Sequence, residues 1–348
     1  MKQKLFISTC VFAVSSGAMA EINFSGFATF AGGTAFGDEE VSSATVHGYD
    51  EDFSVAPNSF LGLQVVADIY GNLDATVQGT VDSAEGWDTV DNVDFDLTWA
   101  FLSYDITDNW RVIAGRQRMP HYMYSDYLTV SYAYHWIEAP TQLYNAPFDS
   151  FNGISVLNNF YWRDFTISTQ FIYGEEPDSE EDIGKEYSDI WGGKVSVNYD
   201  WLTATAAYFE FDQYSESTRP GPGGTTSTEI EEGTLISWDL GLQAELGSWL
   251  IIGELTSVDL SDLSDRMGTK KPWMLSVAKN IGSFTPHVSY GYNRELDFGD
   301  DDSETWFYTI GTRWDVLTSS AVKVELSGEE NNDGDVGYSI EAAFVTVF

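Results

Sequence analysis

The sequence predicts an all-β protein, a transmembrane antiparallel up-and-down β-barrel of about sixteen strands. Three observations predict it. Short segments with strict period-two alternation recur along the whole chain, one face apolar and the other polar. The connections between them alternate between short turns and long acidic loops. Aromatic residues flank the short turns, as a girdle at one membrane interface requires: Tyr70, Tyr104, Trp110, Trp162, Tyr199, Trp201, Trp249, Phe284 and Trp314.

The chain opens with Lys2 and Lys4, an apolar run over Leu5–Val14, and Ala18-Met19-Ala20. That order is a secretory signal peptide, so cleavage is expected after Ala20, leaving one domain over 21–348. The apolar run is too short to cross a bilayer as a helix.

Sixteen alternating segments follow, over 22–33, 60–70, 73–82, 94–104, 110–118, 152–162, 165–174, 190–199, 201–212, 234–246, 249–258, 272–281, 284–294, 304–314, 320–328 and 336–348. The third shows the rule: Leu73, Ala75, Val77, Gly79 and Val81 form one face, and Asp74, Thr76, Gln78, Thr80 and Asp82 the other. In the tenth, Trp238, Leu240, Leu242, Ala244 and Leu246 alternate with Asp239, Gln243 and Glu245. In the fourteenth, Trp306, Tyr308, Ile310 and Trp314 oppose Phe307, Thr309 and Arg313. The short connections are Gly71-Asn72, Thr107-Asp108-Asn109, Arg163-Asp164, Asp200, Gly247-Ser248, Gly282-Ser283 and Asp315–Ser319. An even strand count puts both ends of the barrel chain on the short-turn side. The first strand then closes on the last, leaving no unpaired edge in lipid. The last strand places Tyr338, Ile340, Ala342, Phe344 and the terminal Phe348 on one face.

Composition narrows the chemistry. Lys and Arg number 16 against 55 Asp and Glu, a formal net charge of −39, and loss of Lys2 and Lys4 makes it two units more negative. Such a chain repels nucleic acid. Cys10 is the only cysteine and lies in the leader, which excludes disulfides, thiolate metal sites and a cysteine nucleophile from the mature protein. His47, His121, His135 and His287 are scattered, and no zinc, nucleotide or hydrolase motif occurs. No catalytic residue, cofactor or metal ligand is assigned. The acidic run ending in Gly334 has an EF-hand outline, but Glu329 and Ile340 stand at its first and closing ligand positions.

The first strand "INFSGFATF", the "GRQ" that closes the fifth strand, the long connection after it and the terminal Phe348 stand in the order found in Gram-negative porins, and over its whole mature length the chain resembles that family. It departs from the enterobacterial general porins in lacking an acidic "PEFGGD"-like tip in the third long loop. The resemblance implies an outer-membrane channel for passive diffusion of small hydrophilic solutes and ions, assembled as a homotrimer. It implies that residues 119–150 fold back into the lumen, with Arg116 at the constriction. It also makes Phe348 the signal read by the barrel assembly machinery, with outer-membrane lipid and lipopolysaccharide as further partners.

The residues support a constriction independently. A sixteen-strand barrel is too wide for wall side chains to fill. The long third connection is rich in aromatics that need burial, among them Tyr122, Tyr124, Tyr132, Tyr134, Trp136 and Tyr144. Arg116 and Arg118, on one strand face, either oppose the loop acids Asp126, Glu138 and Asp149 across the pore or grip lipid phosphates at the outer rim. Lys194, Glu254, Arg313 and Lys323 also fall on polar, lumen-side positions. Acid runs at 38–40, 50–52, 175–182, 300–304 and 329–335 make a negative vestibule that favours cations. Two other readings are a sugar-type selective channel, with loop tyrosines stacking on rings, and an outer-membrane hydrolase using His121 or His135.

Overall fold

The computed structural model describes residues 21–37, 47–55, 57–83, 93–177, 185–220, 226–263, 268–296 and 302–348. The leader with Cys10, the acid run 38–40, residues 178–182 of the run 175–182 and residues 300–301 of the run 300–304 lie outside the described residues.

The strands are β1 (Ile22–Gly37), β2 (Phe60–Tyr70), β3 (Leu73–Ser83), β4 (Val93–Thr107), β5 (Trp110–Arg118), β6 (Ser150–Trp162), β7 (Phe165–Glu176) and β8 (Lys185–Tyr199). They continue as β9 (Leu202–Pro220), β10 (Thr226–Leu246), β11 (Trp249–Asp259), β12 (Thr269–Lys270), β13 (Trp273–Lys279), β14 (Phe284–Leu296), β15 (Asp302–Leu317), β16 (Ser320–Glu330) and β17 (Val336–Val347). Both β12 and β13 pair with β11, so they are one wall strand broken at Lys271-Pro272, where proline has no N–H to donate. The wall therefore has sixteen strands, each antiparallel to its neighbour in the chain.

The ring closes between β1 and β17, from Phe27 opposite Val347 to Gly37 opposite Gly337. Gly26 and Phe348 extend the seam by exchanging backbone hydrogen bonds of 2.8 and 2.9 Å. Closure leaves no unpaired edge, the condition for a sheet in hydrocarbon.

Alternation along each strand sorts the side chains. Leu240, Leu242, Ile310, Val324 and Ile340 are exposed on the outside, while Ser237, Thr309, Lys323, Glu325 and Glu341 are buried on the inside. Around the short turns Tyr70, Tyr104, Trp110, Trp162, Trp201, Trp249, Phe284 and Trp314 are exposed, at the level where amphipathic rings meet headgroups.

Strand ends differ from the sequence reading chiefly at one hairpin. Alternation of apolar residues stops at 212 and resumes at 234, yet β9 and β10 pair through Tyr214–Glu232 to Pro220–Thr226. Beyond the bilayer a ladder needs only its backbone partners, so polar residues such as Ser215 and Glu231 continue it. Within β5, Gly115 has φ +132°, and a Cβ there would lie 2.3 Å from the Ala100 carbonyl oxygen. Only glycine fits this point, immediately before Arg116.

Candidate functional site

The segment between β5 and β6 has almost no repetitive structure, only single 3-10 turns at Ser125–Tyr127 and Ser131–Ala133. Its aromatic residues make the core the barrel interior otherwise lacks. Tyr122, Tyr124, Tyr134, Trp136, Leu143 and Tyr144 pack with Ile252, Met274 and Phe307 of the wall. Trp136 is 1 % exposed. Each such ring contributes about 1.5–3 kcal/mol by leaving water, which sets the loop down on this wall.

Inside the barrel the loop backbone has little water to bond, so the wall satisfies it. The Lys194 ammonium donates to the Tyr122 carbonyl at 2.6 Å. Glu254 accepts from the Met123 N–H at 2.8 Å and from the Tyr144 hydroxyl. Arg313 donates to the carbonyls of Tyr132 (2.6 Å) and Tyr134 (2.9 Å) and lies over the Tyr132 ring. Lys323, fully buried, donates to the Ser131 carbonyl and hydroxyl and to the Trp136 carbonyl. Glu325 accepts from the Ile137 N–H at 2.6 Å. His121 joins Thr256 (3.1 Å) and Ser237 (3.2 Å), and His135 joins Ser276 (2.9 Å). Burial, with Lys194 adding to it, pushes His121 down to about 3, so the ring is neutral in its site.

Lys194, Glu254, Arg313 and Lys323 thus face inward but lie beneath the loop, where they clamp it. The loop leans on the wall from β6 round to β17, with Ile137 reaching Ala31 of β1, and open space remains chiefly on the side of β2 to β5.

That space is a series of chambers. The middle one, about 440 Å³, is lined by Arg118 of β5, Thr80 and Asp82 of β3, and Tyr134, Glu138 and Asp149 of the loop. Asn58, Glu138 and Thr141 also line a 520 Å³ chamber at the long-loop mouth, with His47, Gln142, Asn293 and Glu329. Thr129 is shared with a 550 Å³ chamber at the short-turn end, lined by Asp126, Gln78, Trp99 and Phe348. Shared lining residues make the three neighbours along the barrel.

The structure separates the two arginines. Arg118 lines the middle chamber with Glu138 and Asp149, and Asp126 lies one chamber further in. Arg116 lines none of the three. Its guanidinium donates to Glu176 at 2.8 and 2.9 Å and to the Leu97 carbonyl at 2.8 Å. It pairs with Ala100 and Asn152, on the outward face shared with Leu102 and Ile154.

Several residues of the site were not singled out by sequence reasoning. Glu325 and Glu341 stand on the polar face of their strands two places from Lys323 and Ser339, a signal that was available. His47 had none. It meets Glu341 at 3.1 Å, on the inner face of β17. Burial opposes its charge, but the hydrogen bond to Glu341 and the nearby Glu138 and Glu329 outweigh that and raise it to about 9. Glu138 is pushed up to about 7 by burial, with Glu341 and Glu325 adding to the rise and His47 and Asn58 opposing it.

The sequence profile of the Gram-negative porins matches residues 8–342. The chain belongs to the Gram-negative porins. No curated protein matches it in sequence. Among solved structures it is similar in fold to the anion-selective porin from Comamonas acidovorans, with TM-score 0.65, 17 % identity and coverage of 95 % of this chain and 100 % of that one. It is similar also to a loop L8 deletion mutant of the outer membrane protein OmpT of Vibrio cholerae, with TM-score 0.65, 12 % identity and coverage of 94 % and 99 %. OmpF of Salmonella typhi, in complex with daunomycin, gives TM-score 0.60, 14 % identity and coverage of 94 % and 98 %. These likenesses are of fold, and membership of the porins makes this barrel an outer-membrane channel.

Proposed function

We propose that this porin is a non-enzymatic, cation-preferring channel for passive diffusion of small hydrophilic solutes and ions, without cofactor or energy source. The observation that carries this reading is the charge of the middle chamber, where Asp82, Glu138 and Asp149 face Arg118 alone. In a narrow water-filled passage, wall charges of one sign raise the local concentration of the opposite ion. The acids of the long loops add to the same field within about one Debye length of 8 Å. The anion selectivity named for the Comamonas porin is therefore not expected here. The protein is exported with residues 1–20 as leader and cleaved after Ala20, and Phe348 serves the barrel assembly machinery. Among lipid and lipopolysaccharide it assembles as a homotrimer, the form reported for OmpT of Vibrio cholerae.

The other two readings are weaker on physical grounds. Tyr134 and Tyr144 border the middle chamber but are only 6 % and 8 % exposed, which leaves little ring face for a sugar. Ser276 is 1 % exposed beneath the loop, so its contact with His135 is a tether out of reach of substrate.

The test is reversal potential under a salt gradient, with single channels of the refolded mature chain in a planar bilayer. Cation preference is expected. Arg118→Ala increases it, whereas Arg116→Ala leaves it close to wild type because that guanidinium is engaged by Glu176. Anion preference in the wild type would overturn the reading.

A further inference from the structure

The third long loop is not alone inside the barrel. Part of the first long loop, residues 47–50 and 57–58, also lies against the inner wall. The Tyr49 ring, 0 % exposed, packs on Ala35 of β1, and its hydroxyl donates to the Pro57 carbonyl at 3.0 Å, which closes the loop on itself. The Ala35 N–H donates to the Asp50 carbonyl at 2.6 Å, and Gly33 and Ser54 exchange backbone hydrogen bonds of 2.9 Å. These contacts fix the loop to β1. His47 and Asn58, on either side of that stretch, meet a single carboxylate. Glu341, buried on the inner face of β17, lies 3.1 Å from the His47 ring and accepts from the Asn58 amide at 3.2 Å and from the Ser339 hydroxyl at 2.8 Å. Gly33, opposite Glu341 in the ladder, has no side chain to stand in the way.

Both loop residues that hold Glu341 have left-handed backbone, His47 at φ +52° and Asn58 at φ +60°. Non-glycine residues are uncommon there and persist where surrounding contacts hold them. Both residues line the mouth chamber with Glu138, and Asn58 and Glu138 line the middle chamber as well. We propose that the first long loop is a second constricting element of the passage, and that Glu341 is the positioning residue that keeps it in the lumen. With Glu341 engaged, His47 and Asn58 stand beside Glu138 and take up width at the mouth. When the contact opens, both withdraw and the mouth widens. The hold depends on charge. Burial disfavours a proton on His47, but Glu341 of β17, Glu138 of the third loop and Glu329 of β16 outweigh it and keep the ring charged up to about 9, against 6.5 for an imidazole in water. A released His47 is neutral above 6.5, so between 6.5 and 9 docking takes up a proton. Docking therefore weakens about tenfold for each unit by which pH rises through that range.

This constriction rests on the channel reading, and single-channel recording of the refolded mature chain separates the two. Time spent in a wider conductance level is followed from about pH 7.5 to about pH 9, a window above the value of about 7 for Glu138. Wild type is expected to gain about tenfold in that time across the window. His47→Gln and Glu341→Gln are expected to show the wider level already at the lower pH with no further rise, and the double variant to add nothing to either single one. A merely structural role for Glu341 would leave the pH step in place when the carboxylate is removed. Variants that match wild type throughout would overturn the constriction and leave the diffusion channel standing, and so would a narrower level on release. If neither variant folds, the wild-type step decides alone, and its absence overturns the proposal. Absence of any conductance from folded wild-type barrels would instead overturn the channel reading itself.

Discussion

Glu138 is the side chain on which selectivity and pH meet. It borders both the mouth and the middle chamber, faced by His47 of the first long loop, Glu341 of β17, Glu325 of β16 and Asn58. Its carboxyl is raised to about 7, chiefly by burial. The sign follows directly. Above 7 it is charged and adds to the negative lining. As pH falls through 7 it takes up a proton and the lining loses that charge. Cation preference is therefore expected to drop between pH 8 and pH 6, read as a shift of reversal potential towards zero, and Glu138→Gln should remove that step. For folding the linkage runs the other way, because the charged form is the one burial disfavours, so protonation relieves the packed loop. The arginines mark the limit of reading residues alone. Nothing in "GRQR" distinguishes Arg116 from Arg118. The difference lies in their partners: the Arg116 guanidinium is held by Glu176, at a register irregularity of β7, whereas Arg118, at the end of β5, lines the middle chamber.

At the scale of the element, the third long loop is held by donors from its surroundings. Lys323→Ala removes an ammonium that meets two carbonyls and a hydroxyl in a fully buried site. The expected cost to loop docking is about 3 kcal/mol. No Lys or Arg occurs over 119–149, so chymotrypsin is the suitable probe. Faster cleavage within the loop of the folded barrel, with noisier open-channel current, is expected for Lys323→Ala. A rate equal to wild type would mean that the aromatic core alone holds the loop. The wall strands were legible in the sequence because each has one face in lipid and one inside, and that contrast is what alternation reports. The reach of β9 and β10 past the bilayer was not, since a ladder in water carries no such contrast. Lys194, Glu254, Arg313 and Lys323 could be placed on the inner face, but not beneath the loop. Which part of the inner wall is covered depends on where the aromatic residues settle, a matter of three-dimensional packing.

For the whole molecule, closure is the cooperative step. Gly26 and Phe348 bond to each other across the seam, and a Cβ at Gly26 would lie 2.5 Å from the Phe348 ring. Deleting Phe348 removes the last two hydrogen bonds of the seam, and a lower unfolding temperature of the detergent-refolded barrel is expected, measured by the heat needed to abolish its compact migration in gel electrophoresis. An unchanged temperature would confine Phe348 to a role in assembly.

The uneven wall of this barrel has a consequence for how such channels diverge. The loop's polar anchors belong to β8, β10, β11 and the strands from β13 to β16, whereas Thr80, Asp82 and Arg118, which border the open middle chamber, belong to β3 and β5. One arc of the circumference works as ballast and the other as an editable filter. Single substitutions on the filter arc can alter which solutes are admitted while the ballast arc, and with it the architecture, stays as it is. A lineage can thus explore new diets without having to learn again how to fold.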